Sequence, residues 1–277
     1  MNLKILITAL TVILYQPVTG NMLLSQSDKA EKQQTAFNPL QETKPEVSLI
    51  TVFDNFLFKP ELKTAWGFSC IIKTPDEVIL FDTGGNSKIL LQNMHEMNID
   101  PGSISKVIIS HIHADHTGGL EGFLDKNKNV TVFIPSSFPE SFRSMISGKG
   151  SEFENVSGSP AKISDFIYST GEVSGPLIEQ ALIINSNKGL IIITGCAHPG
   201  ITNMIKKARE FFTREDIYLV IGGFHNPSPE VVKEFRELGI KKVAPTHCTG
   251  VPAIKAFKKE YGTDFIETGV GKIIEIK

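Results

Sequence analysis

Past Val47 the apolar positions switch repeatedly between a two-residue and a helical repeat. The runs "SLITVFD" and "WGFSCIIKT" are β-branched and aromatic and predict strands; "EVILFDTGG" predicts a strand closed by a glycine turn. In "NSKILLQNMHEM", Ile89, Leu90, Met94 and Met97 fall at helical spacing. Strands follow at "KVIIS" and at "NVTVFIP", which Pro135 stops. Residues 136–176 are irregular and rich in Ser, Gly and Pro, with one short helix expected over 138–146. "EQALIINS" and "GLIIIT" read as a hairpin about Asn187, Lys188 and Gly189. "PGITNMIKKAREFF" is an amphipathic helix with Pro199 at its start, and Ile201, Met204, Ile205, Ala208 and Phe212 on one face. Strand "IYLVIGG", helix "SPEVVKEFRELG" (Ser228 as N-cap, Pro229 first), strand "KKVAPT" and helix "VPAIKAFKKEYG" come next. Short strands near 264–267 and 271–276 end the chain, and no short internal repeat is present.

The first residues have a different character. "MNLKILITALTVILYQPVTG" carries an early lysine and an apolar run over 5–15, short for a bilayer span but suited to a signal peptide. Residues 1–20 are therefore expected to be a signal peptide, 21–46 a Gln-, Lys- and Ser-rich leader, and 47–277 the folded domain. Export to the periplasm or beyond is expected, with no membrane span left after processing. The 277 residues, 41% hydrophobic and 21% charged, hold ample material for a core. A net charge of -2 gives no nucleic-acid footprint. Cys70, Cys196 and Cys248 lack a CxxC pattern; their spacing permits a disulfide after export without demanding one.

The chemistry-bearing residues gather where strands end. Asp82 follows "VILF", and His111, His113, Asp115 and His116 follow "VIIS". Cys196 and His198 follow "LIIIT", His225 follows "LVIGG", and His247 with Cys248 follows "VAPT". Only His95, mid-helix, stands apart from these ends. In layered α/β folds the carboxyl ends of strands share an edge where ligands bind. In "HIHADH", His111 and His113 lie two apart and can face one ion, while Asp115 and His116 begin the next turn and point to a neighbouring position. Imidazole and carboxylate donors favour zinc, with iron or manganese as the other choices. A structural zinc site would use more cysteine.

"HIHADHTGG" resembles the HxHxDH signature of the metallo-β-lactamase superfamily, with "FDTGG", "GCAHPG" and "PTHCTG" in the matching order. "GCAHPGI", "GGFH" and "HCTG" resemble more narrowly its dihydropterin-methyl-aminobenzene ribofuranosyl phosphate synthase-like branch. The resemblance covers residues 47–277 and implies an α/β fold, a four-layer αβ/βα sandwich with one or two metal ions at one edge of the sheets. It implies His111, His113 and His198 as ligands of a first ion, and Asp115, His116 and His247 as ligands of a second. It assigns Asp82 to bracing the ligand loop. Many relatives carry a bridging aspartate as TGD where this chain reads "TGC". Cys196 is read as a small packed side chain in preference to a thiolate ligand, with Glu179 as a candidate bridge. His225 has no counterpart; substrate binding, proton donation and a supporting hydrogen bond stay open for it. Cys248 is read as structural.

No GxSxG and no cysteine beside a dedicated base offers a side-chain nucleophile. A metal ion with an open position brings the pKa of its bound water to about 7 and so supplies hydroxide. The expected activity is hydrolysis of a small-molecule ester, lactone, phosphoester or related bond, with Asp115 orienting the hydroxide and helping to protonate the leaving group. An exported β-lactamase and a non-catalytic metal-binding protein are the alternatives. The segment 136–176 is expected to cover the pocket. The oligomeric state has no signature in the sequence.

Overall fold

The alternating runs pair into two sheets in the computed structural model of the protein, which describes residues 44–277. The expected signal peptide and nearly all of the expected leader lie outside the described residues. The first sheet contains β1 (Val47–Phe53), β2 (Ser69–Lys73), β3 (Val78–Phe81), β4 (Lys106–Ile108), β5 (Thr131–Pro135) and β6 (Glu152–Val156) side by side. The second contains β7 (Ala161–Ser164), β8 (Ile167–Ser169), β9 (Leu182–Ser186), β10 (Gly189–Thr194), β11 (Ile217–Gly223) and β12 (Lys242–Thr246). The last strand, β13 (Ile273–Ile276), returns to the first sheet beside β1. Strands β3 to β6 are parallel, and so are β10 to β12; the other pairs are antiparallel.

Both faces of each sheet are apolar, because each is covered. In β10, Ile191 and Ile193 belong to the core between the sheets, while Leu190 and Ile192 pack with the helices behind. In β3, Ile79 and Phe81 join the central core and Leu80 the outer one. The two-residue side-chain period thus divides one apolar run between two cores. On the first sheet, α1 (Ser87–Glu96), the single turn α2 (Ala114–Thr117), α3 (Leu120–Leu124) and α4 (Glu140–Gly148) follow the strands. Leu90, Met94, Phe123 and Ile146 seal that face. On the second, α5 (Ile201–Phe211), α6 (Val231–Glu237) and α7 (Val251–Tyr261) bury Met204, Phe235 and Phe257. The layers run helix, sheet, sheet, helix: the expected αβ/βα sandwich. No helix among the described residues is long and apolar enough to cross a membrane.

Three expectations need correction. Residues 136–176 are not one pocket-covering loop: beyond α4 they supply β6, β7 and β8 toward the far edges of both sheets, and only their ends, at 137–139 and 175–176, border a cavity beside Ile112. β6 is "EFENV" with three of its residues exposed, so no alternating pattern marks it. Pairing with β5, from Thr131↔Glu152 to Pro135↔Val156, holds it in place. The helix after "GGFH" begins at Val231, because Ser228 and Pro229 form a turn in which Val231 N donates to Ser228 O. Residues 264–267 make only an isolated bridge, Val243↔Phe265.

The central core is where truncation should cost most. Phe81 is fully buried there, with its ring edge-on to Phe68 at 6.5 Å. Phe81→Ala is expected to lower unfolding free energy by about 3–5 kcal/mol in a denaturant titration. A loss under about 1 kcal/mol would contradict this packing.

Candidate metal centre

Parallel strands deliver their carboxyl ends to one edge, and the donors arrive there from both sheets. β3 runs into Asp82, and β4 into Ser110 and His111. His113 caps the short α2, which carries Asp115 and His116. From the second sheet, β10 leads to Cys196 and His198, β11 to His225 and β12 to His247. The sheets approach closely here: a Cβ on Gly195 would lie 2.1 Å from Ser110 Oγ, so only glycine fits.

Two donor sets result. The rings of His111, His113 and His198 are mutual neighbours, with centroids 4.9, 4.8 and 4.7 Å apart. Asp115, His116, Cys196 and His247 each offer one donor atom, all within 4.8 Å of one another. The same distance groups His111 with Cys196 and His198, and Cys196 with His225 and Cys248. The Nε2 atoms of His111 and His198 are buried without a partner, and that of His247 has only the Asp115 carboxylate, 3.3 Å away. Such atoms are uncommon in proteins and cost desolvation energy unless something takes their lone pairs. A metal ion does so, and the imidazole, carboxylate and thiol donors suit one.

The opposite ring nitrogens are tied down. Asp82 Oδ2 accepts from Ser110 Oγ at 2.7 Å and meets His116 Nδ1 at 2.7 Å, while its Oδ1 accepts from Ser110 N at 2.7 Å. Ser110 Oγ, its own proton given to Asp82, faces His111 Nδ1 at 2.8 Å. One buried carboxylate thus sets two imidazoles, each with Nε2 toward the donor sets. His247 Nδ1 is paired instead with Asn55 Oδ1 at 2.8 Å. Asp54, next to Asn55, accepts from Thr246 Oγ1 at 2.6 Å and so ties the end of β1 to the end of β12. A second fully buried carboxylate, Glu179, accepts from Cys196 N, Ala197 N and His198 N, each at 2.9 Å. These bonds hold the 196–198 turn, where Ala197 takes a left-handed φ of 61°.

Burial and neighbouring charge spread the proton affinities. Burial pushes His111 well below the usual imidazole value, and the surrounding histidines push it further. Burial, with His225 and His113 nearby, lowers His198 to about 4. Burial lowers His247 as well. Burial opposes the charge of His116 too, yet the charge and hydrogen bond of Asp82 hold its pKa above the usual value. Partial burial works against Asp115, but contact with His247 and the charge of His116 keep its carboxyl well below the usual range. The Cys248 thiol and burial together raise Cys196 strongly. Burial raises Glu179 against its three backbone hydrogen bonds.

The structure brings together His111, Asp115, His116, His198 and His247, with Asp82 and Cys196 between and behind them; His113 joins by ring contact with His111 and His198 and falls in none of the groups of converging donor atoms. His225 stands exposed at the rim, its ring 4.0 Å from that of His198. Glu179 is corrected from bridging candidate to loop clamp, since backbone N–H groups occupy both its oxygens. The three cysteines are free. Sequence reasoning missed Ser110, Asp54 and Asn55, although "FDN" after the first strand is a strand-end polar cluster of the kind that revealed the others. It also missed Trp66, which is 60% exposed with its ring 4.9 Å from His247.

Comparison with known proteins agrees with this geometry. Residues 67–202 match the family description "Metallo-beta-lactamase superfamily". The chain is 33% identical over 246 residues to the 7,8-dihydropterin-6-methyl-4-(beta-D-ribofuranosyl)-aminobenzene-5'-phosphate synthase of Methanocaldococcus jannaschii, covering 71% of this chain and 84% of that one. A ribonuclease Z of Nanoarchaeum equitans matches at 35% identity over 74 residues, 24% of this chain and 22% of its own. Among solved structures, a metal-dependent hydrolase of the beta-lactamase superfamily superposes with a TM-score of 0.68 at 26% identity, over 83% of this chain and 99% of that one. Identity at this level, over most of both chains, makes the protein an enzyme of the metallo-β-lactamase superfamily, with a fold that binds divalent metal.

Proposed function

We propose that the protein is a zinc-dependent hydrolase acting on an ester, lactone or phosphoester bond of a small molecule. One observation carries the reading: three buried histidine Nε2 atoms converge beside a carboxylate and a thiol, those of His111 and His198 without a partner and that of His247 facing only Asp115 Oδ2 at 3.3 Å. Imidazole nitrogens in the majority, with a single sulfur, suit zinc better than a hard ion such as magnesium. A phosphorylated ligand is supported by the relative, a synthase named for a ribofuranosyl aminobenzene 5'-phosphate.

When bound, the ion supplies a Lewis acid and an acidified water. The remaining work falls to side chains. Asp115 Oδ2, 3.3 Å from His247 Nε2 and 3.6 Å from His116 Nε2, stays ionised at neutral pH and takes the proton of the attacking water. His225, exposed beside His198, returns a proton to the leaving oxygen. Trp66 borders the same opening next to His247 and offers a flat apolar surface to the substrate.

Protein purified without added metal should contain zinc, and His113→Ala should lose part or all of it. Chelation should abolish hydrolysis of nitrophenyl ester and phosphodiester probes, and zinc should restore it. Turnover that survives complete metal removal would sink the reading. His225→Gln should keep its metal while kcat falls by roughly a hundredfold; an unchanged kcat would remove His225 from the chemistry. Glu179→Gln should weaken zinc affinity by about 10–100-fold, measured by competition with a chromogenic chelator, because the turn carrying Cys196 and His198 loses its clamp. Unaltered affinity would show that the turn holds its shape without the carboxylate.

A further inference from the structure

Of the donor groups at the sheet edge, only one residue belongs to all. Cys196 Sγ lies within 4.8 Å of the donors of Asp115, His116 and His247, and equally of those of His111 and His198. It is 3.2 Å from His116 Nε2, and its residue is 3% exposed. A sulfur that merely filled space would face aliphatic carbon. This one faces imidazoles, a carboxylate and a second thiol, in the same space as the partnerless Nε2 atoms of His111 and His198.

The neighbouring carboxylates have other duties. Glu179 spends both oxygens on the backbone of residues 196–198. Asp82 is taken up by Ser110 and His116. Asp115 groups with His116 and His247 but not with His111 and His198. Among the described residues, no carboxylate is therefore free to lie between the two sets. The backbone also aims the sulfur. Glu179 pins Cys196 N, and Gly223 leaves the room: a Cβ there would sit 2.7 Å from Cys248 Sγ and 3.2 Å from Cys196 Cα.

We propose that Cys196 is a ligand shared by both donor sets, a thiolate bridging two metal ions, and not the packed apolar side chain that the sequence suggested. The inference rests on the metal-dependent reading above and specifies how that centre is built. On binding, the S–H bond breaks as metal–sulfur bonds form, and the proton leaves to solvent. A shared thiolate makes the centre soft, so zinc, cobalt and cadmium should be retained where magnesium and manganese are not.

Cobalt(II) substitution tests this without any turnover assay. The wild-type protein, stripped and reloaded with cobalt, should show intense near-ultraviolet thiolate-to-cobalt absorption that grows through both equivalents added. The band should vanish in Cys196→Ser, together with the second equivalent of bound cobalt. It should persist in Cys248→Ser. Cys196→Asp should recover the second equivalent without the band, because a carboxylate also bridges. Cobalt bound by the wild type without the band, or a band that survives in Cys196→Ser, would overturn the proposal and leave the metal-dependent reading intact. A band that saturates after the first equivalent would overturn the bridge. A wild-type chain that takes up neither cobalt nor zinc would overturn both.

Discussion

Asp82 sits at the end of β3 with no exposed surface, yet it carries a carboxylate that accepts from Ser110 N and Ser110 Oγ and pairs with His116 Nδ1. Burying such a group is costly unless every lone pair finds a donor. Here the donors come from the strand end and the turn that present the imidazoles of the candidate metal centre. The backbone bends to allow it: Asp82 has φ 54°, a left-handed value that is uncommon outside glycine and that aspartate tolerates better than most residues. Satisfying this one carboxylate orients His116 directly and His111 through Ser110, so the cost of its burial and the geometry of the centre are the same fact.

The rest of the fold keeps that arrangement steady. Two sheets share an apolar core that includes Ile79, Phe81, Ile191, Ile193 and Leu219, and helices seal both outer faces. Parallel strands in each sheet bring five loops to one edge. A dense interior resists small displacements, which matters where the sheets meet at Gly195 and Ser110. Glu179 and the pair Asp54–Asn55 do for the second sheet what Asp82 does for the first. They fix the 196–198 turn and His247 from behind, through atoms other than those that face the donor sets.

Electrostatics then favour an ion over protons at the first donor set. His111 and His198 resist protonation because they are buried among other imidazoles, so their Nε2 lone pairs remain available at neutral pH. His116 differs, since Asp82 supports its charged form. An ion held at the second set through His116 Nε2 would compete with that proton, the coupling expected of a metal site built from groups that titrate.

Much of this was legible in the sequence because it is local. Strand runs such as "GLIIIT" carry their own periodicity, and the residues just past each run inherit its position, so the six candidate ligands were identifiable by number. Local pattern failed at β6, where "EFENV" has no alternation and only the pairing with β5 makes a strand. It failed again for the residues behind the ligands. Asn55 lies 192 positions from His247, and Glu179 reaches forward 17 to 19 positions to clamp the 196–198 turn, contacts that no periodicity encodes. The sequence by itself determined which donor types stand at which strand ends, since strand direction and side-chain identity are properties of short segments. Only the tertiary structure decided which buried carboxylate serves as brace, which as clamp, and that the Cys196 sulfur lies between both donor sets, because those roles depend on distances between segments that meet only when the two sheets close on each other.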